Sequence, residues 1–171
     1  MTDKIENPTG FDDLLENNRH YVDNFHLQGF DGIAKAGVAI VTCMDSRIDP
    51  LGIVGLEPGD AKIFRNPGGR VTEAALEALV LGVHLLNVNR ILVVPHTRCA
   101  MTSSTENELR HRITDLSGID ASWQSFGVID DQVQKLREDL AKVRSHPLIP
   151  DWALVGGFIY DVDTGLLQPV A

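Results

Sequence analysis

The sequence predicts an α/β domain with a mainly parallel central sheet flanked by helices. Three observations point that way. Gly37–Cys43 (GVAIVTC) is continuously apolar and rich in β-branched residues, as a strand covered on both faces should be. Further strand-like segments follow at Ala61–Asn66 (AKIFRN) and Arg90–His96 (RILVVPH), and long stretches of helical pattern stand between the second, the third and the C-terminal segment. With 171 residues, one core is enough, since single domains commonly hold about 100 to 200 residues.

Each element has its own reason. From Thr9, FDDLLENNRHYVDNF sets Leu14, Leu15, Tyr21, Val22 and Phe25 on a partial helical stripe with acids in the first turn, where they suit the helix dipole. This is read as a surface helix within an N-terminal helical arm of about residues 1–35, the chain 1–171 as a whole being a single α/β domain. A Pro/Gly-rich connection leads from the first strand to AKIFRN, which ends in the turn PGG. Val71–Val88 is helical and apolar around much of its circumference, a pattern that asks for burial by the sheet and by another subunit. After RILVVPH come helices over Thr102–Leu116 and Val128–Ser145, the second stopped by His146-Pro147. WALVGGFIYDV and LLQPV, joined by the turn DTG, read as two closing strands.

Composition excludes several classes. A net charge of −9, with no basic run, disfavours nucleic acid as a partner. No stretch approaches the roughly 18 unbroken apolar residues of a membrane span, and the N-terminus lacks a secretory pattern, so a cytoplasmic location is expected. Two cysteines, Cys43 and Cys99, are too few for a disulfide scaffold and point to metal, catalysis or core packing.

The chemistry-bearing residues gather at strand ends. In parallel α/β sheets, sites form beyond the carboxyl ends of the strands, which is where Cys43 and the pair His96-x-x-Cys99 fall. If the two strands are neighbours, two sulfurs and one imidazole meet. Soft thiolates with imidazole select zinc, and three protein ligands leave the fourth tetrahedral position free, as in catalytic zinc sites. Asp45 could accept a hydrogen bond from water at that position or occupy it, and Arg47 could hold Asp45 in a bidentate pair.

Taken together, Cys43-x-Asp45-x-Arg47, FRNPGG (Phe64–Gly69) and His96-x-x-Cys99 resemble the β-class carbonic anhydrases, in particular their short bacterial form. The resemblance covers Ala36–Met101 in order and interval and extends to the ending GGFIYDVDTGLL. It implies a β-carbonic anhydrase-like fold and zinc-dependent, reversible hydration of carbon dioxide to bicarbonate. Cys43, His96 and Cys99 would bind Zn2+, with Asp45 and Arg47 as the catalytic dyad. It also implies a homodimer or a dimer of dimers. Two other functions fit the same residues: a same-fold hydrolase of carbon disulfide or carbonyl sulfide, and a non-catalytic zinc- or bicarbonate-binding protein with Asp45 kept on the metal.

The sequence departs from the family where HTRCAM stands for the usual His-Thr-Asp-Cys-Gly or His-Thr-Gly-Cys-Gly. If the place after the cysteine needs positive φ, Ala100 costs on the order of 1 kcal/mol there. Arg98 brings a cation that could attract bicarbonate, pair with an acid or face solvent, and Pro67 stiffens the turn.

Other features have commonplace readings. Gly68 and Gly69 form a strand-to-helix turn, His84 is a core or interface histidine, and Trp123 and Trp152 are packing or interface anchors. The run QKLREDLAKVR is a solvated helix face.

Overall fold

The computed structural model describes residues 9–170. Residues 1–8 of the expected N-terminal arm therefore lie outside the described residues. The chain divides after Asp31 into two units. In the first, helix α1 (Asp12–Val22) starts with Asp12 and Asp13 and ends with Arg19 and His20, matching the dipole at both ends. None of its residues is buried, and Leu14, Tyr21 and Val22 are all more than half exposed.

The second unit is built on five strands, β1 (Val38–Cys43), β2 (Ala61–Asn66), β3 (Arg90–Val94), β4 (Leu154–Tyr160) and β5 (Leu167–Pro169), in the spatial order β2-β1-β3-β4-β5. The first three pairings are parallel and β4–β5 is antiparallel. The sheet is mainly parallel, as the sequence predicts. All six residues of β1 are buried, as its unbroken apolar run requires of a central strand.

Helices α2 (Glu73–Leu85) and α4 (Gln132–Arg144) pack on the sheet. They close a core in which Ala39, Val41, Ile91 and Val93 meet Leu76, Leu79 and Val83 from α2 and Leu136, Leu140 and Val143 from α4. A smaller apolar cluster, Val38, Ile40, Ile48, Val94 and Tyr160, includes Cys43 and Cys99. Helix α3 (Glu106–Ser117) buries none of its residues. No helix among the described residues is long and apolar enough to cross a membrane.

The helix ends differ from the sequence reading because side-chain caps decide them. Thr72 accepts a hydrogen bond from the Ala75 N–H, so α2 begins at Glu73 rather than Val71. Its surplus apolar residues, Leu81 and Leu85, are 53% and 67% exposed in the single chain. Helix α3 begins at Glu106 rather than Thr102, because Thr105 and Glu108 form a capping box and Ala100–Thr102 is a short 3-10 turn. Asp131 likewise starts α4 at Gln132.

The solvated face expected of QKLREDLAKVR is corrected: Leu136, Asp139, Leu140 and Val143 are buried on one side of α4. Asp139, only 2% exposed, accepts from Arg70 Nε at 2.6 Å, Arg70 Nη2 at 3.0 Å and the Val71 N–H at 3.0 Å. An acid in a mixed-charge run is thus an internal tie between α4 and the turn after β2. His84 is exposed, not a core residue, and its Nε2 lies 2.8 Å from the Leu148 carbonyl. Trp123 and Trp152 are 77% and 58% exposed, so neither anchors packing within this chain.

Candidate metal centre

Parallel register sets the site. Cys43 ends β1 opposite Asn66 of β2, while Thr42 stands opposite Val94 at the end of β3. The chain leaving β3 therefore delivers His96 and Cys99 beside Cys43. Thr42 is fully buried and donates its Oγ1 hydrogen to the Val94 carbonyl at 2.7 Å, joining the two strands next to the site.

One ligand-type atom from each of Cys43, His96 and Cys99 lies within 4.8 Å of the others, and all three residues are buried. The sulfurs are 4.0 Å apart. Two sulfurs on one tetrahedral zinc, each about 2.3 Å from the ion, would stand about 3.8 Å apart. His96 has one ring nitrogen committed: Nδ1 lies 2.8 Å from the Thr97 carbonyl, an acceptor, so Nδ1 carries the hydrogen. Nε2 is then a lone pair. It is buried and, among the described residues, has no hydrogen-bond partner. An orphaned imidazole nitrogen facing two sulfurs is costly unless a cation accepts it. These residues fit a metal ion.

The sulfurs are unlike as they stand. A hydrogen bond from the Cys99 thiol is the largest influence on Cys43 and, with the main chain at Asp45 and Gly68, lowers its pKa against the effect of burial. The same contact, with burial, pushes Cys99 far up. The cluster thus favours a thiolate at Cys43 in a buried place, consistent with a site made for a cation.

Asp45 and Arg47 stand beside it. Arg47 donates from Nε to Oδ1 at 2.9 Å and from Nη2 to Oδ2 at 2.7 Å, and its main-chain N–H also reaches Oδ1 at 2.9 Å. These bonds, led by the guanidinium, hold the Asp45 carboxyl well below the usual carboxylate range. Its Oδ2 is 3.7 Å from His96 Nε2, so the carboxylate is aimed at the cluster.

Several positioning groups were not singled out in the sequence. Arg65, opposite Thr42 on β2, donates to the Cys43 carbonyl at 2.9 Å and to the Asp45 carbonyl at 2.6 Å. Gln132 Nε2 donates to the His96 carbonyl at 2.9 Å. The Gly68 N–H donates to the Cys43 sulfur at 3.3 Å, so the PGG turn contributes to the site as well as reversing the chain. Position in the parallel register could have flagged Arg65; nothing in the local pattern marks Gln132.

The strain expected at Ala100 is corrected. Ala100 opens a 3-10 turn, and the positive φ falls at Arg98, at 53°. The Arg98 side chain pairs with Asp163 at 3.0 Å and is largely exposed.

A parallel sheet that gathers two thiols and an imidazole beyond its carboxyl edge defines an α/β protein able to bind a metal. The sequence model of the carbonic anhydrase family matches residues 38–167. The chain belongs to that family, a family of lyases, and its curated relatives put it in the β class. Beta-carbonic anhydrase 1 of Mycobacterium tuberculosis is 32% identical over 163 residues, 93% of this chain and 96% of that protein. A carbon disulfide hydrolase of Acidithiobacillus thiooxidans is 32% identical over 151 residues, 76% of this chain and 75% of that protein. Among solved structures, a carbonic anhydrase from Streptococcus mutans superposes with a TM-score of 0.86 and 37% identity, covering 97% of this chain and 100% of that one.

Proposed function

We propose that the protein is a zinc enzyme that interconverts carbon dioxide and bicarbonate, with Cys43, His96 and Cys99 as the metal ligands and Asp45 and Arg47 as the catalytic dyad. The observation that carries this reading is the buried, unpartnered His96 Nε2 facing the two sulfurs. Zinc, when bound, supplies the Lewis acidity that lets water act as a nucleophile near neutral pH.

The chain's own residues do the rest. His96 is fixed in one tautomer by the Thr97 carbonyl, so its free lone pair always faces inward. The Gly68 N–H donates to the Cys43 sulfur, a contact that suits a metal-binding thiolate there. Asp45, kept ionised by Arg47, accepts a hydrogen bond from the reacting water at Oδ2 and orients its lone pair towards carbon dioxide. Bicarbonate then leaves, and the proton passes to buffer.

A second reading keeps the centre and changes the substrate to carbon disulfide or carbonyl sulfide; its support is the likeness to carbon disulfide hydrolases. The test is metal analysis of protein purified without added zinc, followed by stopped-flow hydration of carbon dioxide. Absence of stoichiometric zinc ends both readings. Zinc with sulfide release from carbon disulfide, and without hydration, selects the second.

We also infer a homodimer, or a dimer of dimers. Helix α1 buries nothing, and an isolated helix shorter than about 12 residues is marginal in water, so its apolar side calls for a partner surface. Leu81 and Leu85 on α2 are apolar surface of the same kind. Light scattering that gives a monomer mass would refute this.

A further inference from the structure

Arg98 is held in a left-handed conformation that is unfavourable for a residue with a Cβ, and such strain persists only where surrounding contacts fix it. Those contacts come from the β4–β5 turn. The Thr97 N–H donates to the Tyr160 carbonyl at 2.9 Å, the Val162 N–H donates to Thr97 Oγ1 at 3.1 Å, and Arg98 Nη2 meets Asp163 Oδ1 at 3.0 Å. The turn itself is braced internally, because Asp161 Oδ1 accepts from the Asp163 N–H at 2.8 Å.

The left-handed turn gives the site a contact. It brings the Arg98 carbonyl to Arg47 Nη2, 3.2 Å away, the same nitrogen that donates to Asp45 Oδ2. Asp45 and Arg47 sit on one loop whose main chain Arg65 holds at the Asp45 carbonyl, and their bidentate bonds join the two side chains only to each other. A third hydrogen bond in the guanidinium plane, to main chain 51 residues away, ties the pair to the segment that carries His96 and Cys99.

We propose that Arg98 is a positioning residue: its left-handed main chain seats Arg47 and so aims Asp45 at the cysteine–histidine cluster, with Asp163 as the clasp that holds that turn in place. The proposal rests on the carbonic anhydrase reading of the site. It accounts for an arginine at the third place of HTRC, where a long side chain reaches the closing hairpin.

The test uses full-length, zinc-loaded protein and two measurements: stopped-flow hydration, and the rate at which zinc passes to a competing chelator. The variants are Asp163→Asn, Arg98→Asp, Asp163→Arg, the double exchange Arg98→Asp with Asp163→Arg, and Arg98→Lys. An exposed ion pair is worth at most about a fivefold factor. Each of the first three is therefore expected to lower kcat about threefold to fivefold, with KM changed less than about twofold, and to speed zinc release by a similar factor. Aspartate tolerates the left-handed region, so the double exchange restores both quantities to within about 1.5-fold of the wild type. Arg98→Lys, which keeps the cation, behaves as the wild type.

Folded Asp163→Asn protein with unchanged kcat and zinc release overturns the proposal. So does a double exchange that folds with the wild-type melting temperature yet recovers neither quantity. If the wild type does not hydrate carbon dioxide, the functional reading fails, while zinc release across the same variants still judges the clasp.

Discussion

The main-chain N–H of Gly68 donates to the Cys43 sulfur at 3.3 Å, so the turn that follows β2 completes the surroundings of a residue that ends β1. Both Gly68 and its neighbour Gly69 adopt positive φ, at 81° and 66°. They differ in what a side chain would meet. A Cβ on Gly68 would come within 2.8 Å of Ile129 Cδ1, the movable end of a side chain, whereas one on Gly69 would lie 3.0 Å from the Cys43 nitrogen and 3.1 Å from the Thr42 carbonyl carbon.

Gly68→Ala is therefore expected to cost about 1–2 kcal/mol, mainly from the left-handed backbone. Gly69→Ala should cost more than about 2 kcal/mol, because the backbone of β1 must also shift. Urea unfolding checks the order. Equal midpoints for the two variants would show that the close approach at Gly69 carries no energy.

Replacing His96 by Ala removes one of the three ligand-type groups and the orphaned nitrogen together. Metal content is expected to fall from stoichiometric to a small residue, while the apo protein stays folded on the α2–α4 core. Asp45→Asn should keep the metal and lose about a hundredfold or more in hydration rate, the scale of positioned acid–base help. Metal analysis beside stopped-flow kinetics separates the two effects.

Asp139 is the one buried carboxylate among the described residues. Removing one partner of a buried ion pair costs about 3–5 kcal/mol. Because the Arg70 side chain is 20% exposed, Asp139→Ala should fall near the lower end, about 3 kcal/mol. Thermal or urea unfolding reads it directly. A loss below about 0.5 kcal/mol would mean that water replaces the carboxylate freely.

Glu106 predicts part of the acid sensitivity. Its carboxylate accepts the N–H groups of Phe126 and Val128, which lower its pKa from the ordinary 4.5, so the charged form is favoured by folding. A depressed native pKa contributes stability that is present above the unfolded value and is lost as pH falls through the native value. Stability should decline below about pH 4.5, and Glu106→Gln, which lacks this titration, should show a shallower decline. Glu108, Asp120 and Glu138 are lowered in the same direction, so the variant's slope should diminish without vanishing.

Particular elements show what was legible. The six residues of β1 fall inside an apolar run because a buried central strand is specified by local composition, whereas β2, an edge strand with no buried residue, mixes Ile63 and Phe64 with Lys62, Arg65 and Asn66. Helix boundaries were less legible. Thr105 with Glu108 is a capping-box pattern present in the letters, yet the apolar periodicity alone extends the expected helix back to Thr102. Asp139 was illegible, since its partner Arg70 lies 69 residues away and only the packing of α4 brings them together. The same holds for Arg98, whose left-handed φ depends on the β4–β5 turn.

The residue types at Cys43, Asp45, Arg47, His96 and Cys99 and their order along the chain are properties of the sequence alone, and with them the kind of metal chemistry available. Strand-forming runs and the spacing of short motifs are local, so covalent order is enough to reveal them. Tertiary structure alone decided that β1 and β3 are neighbours, that one imidazole nitrogen is left bare beside two sulfurs, and that a hairpin from the far end of the chain meets the loop between His96 and Cys99. Those facts depend on register and burial, which arise only when segments distant in sequence exclude water from one another.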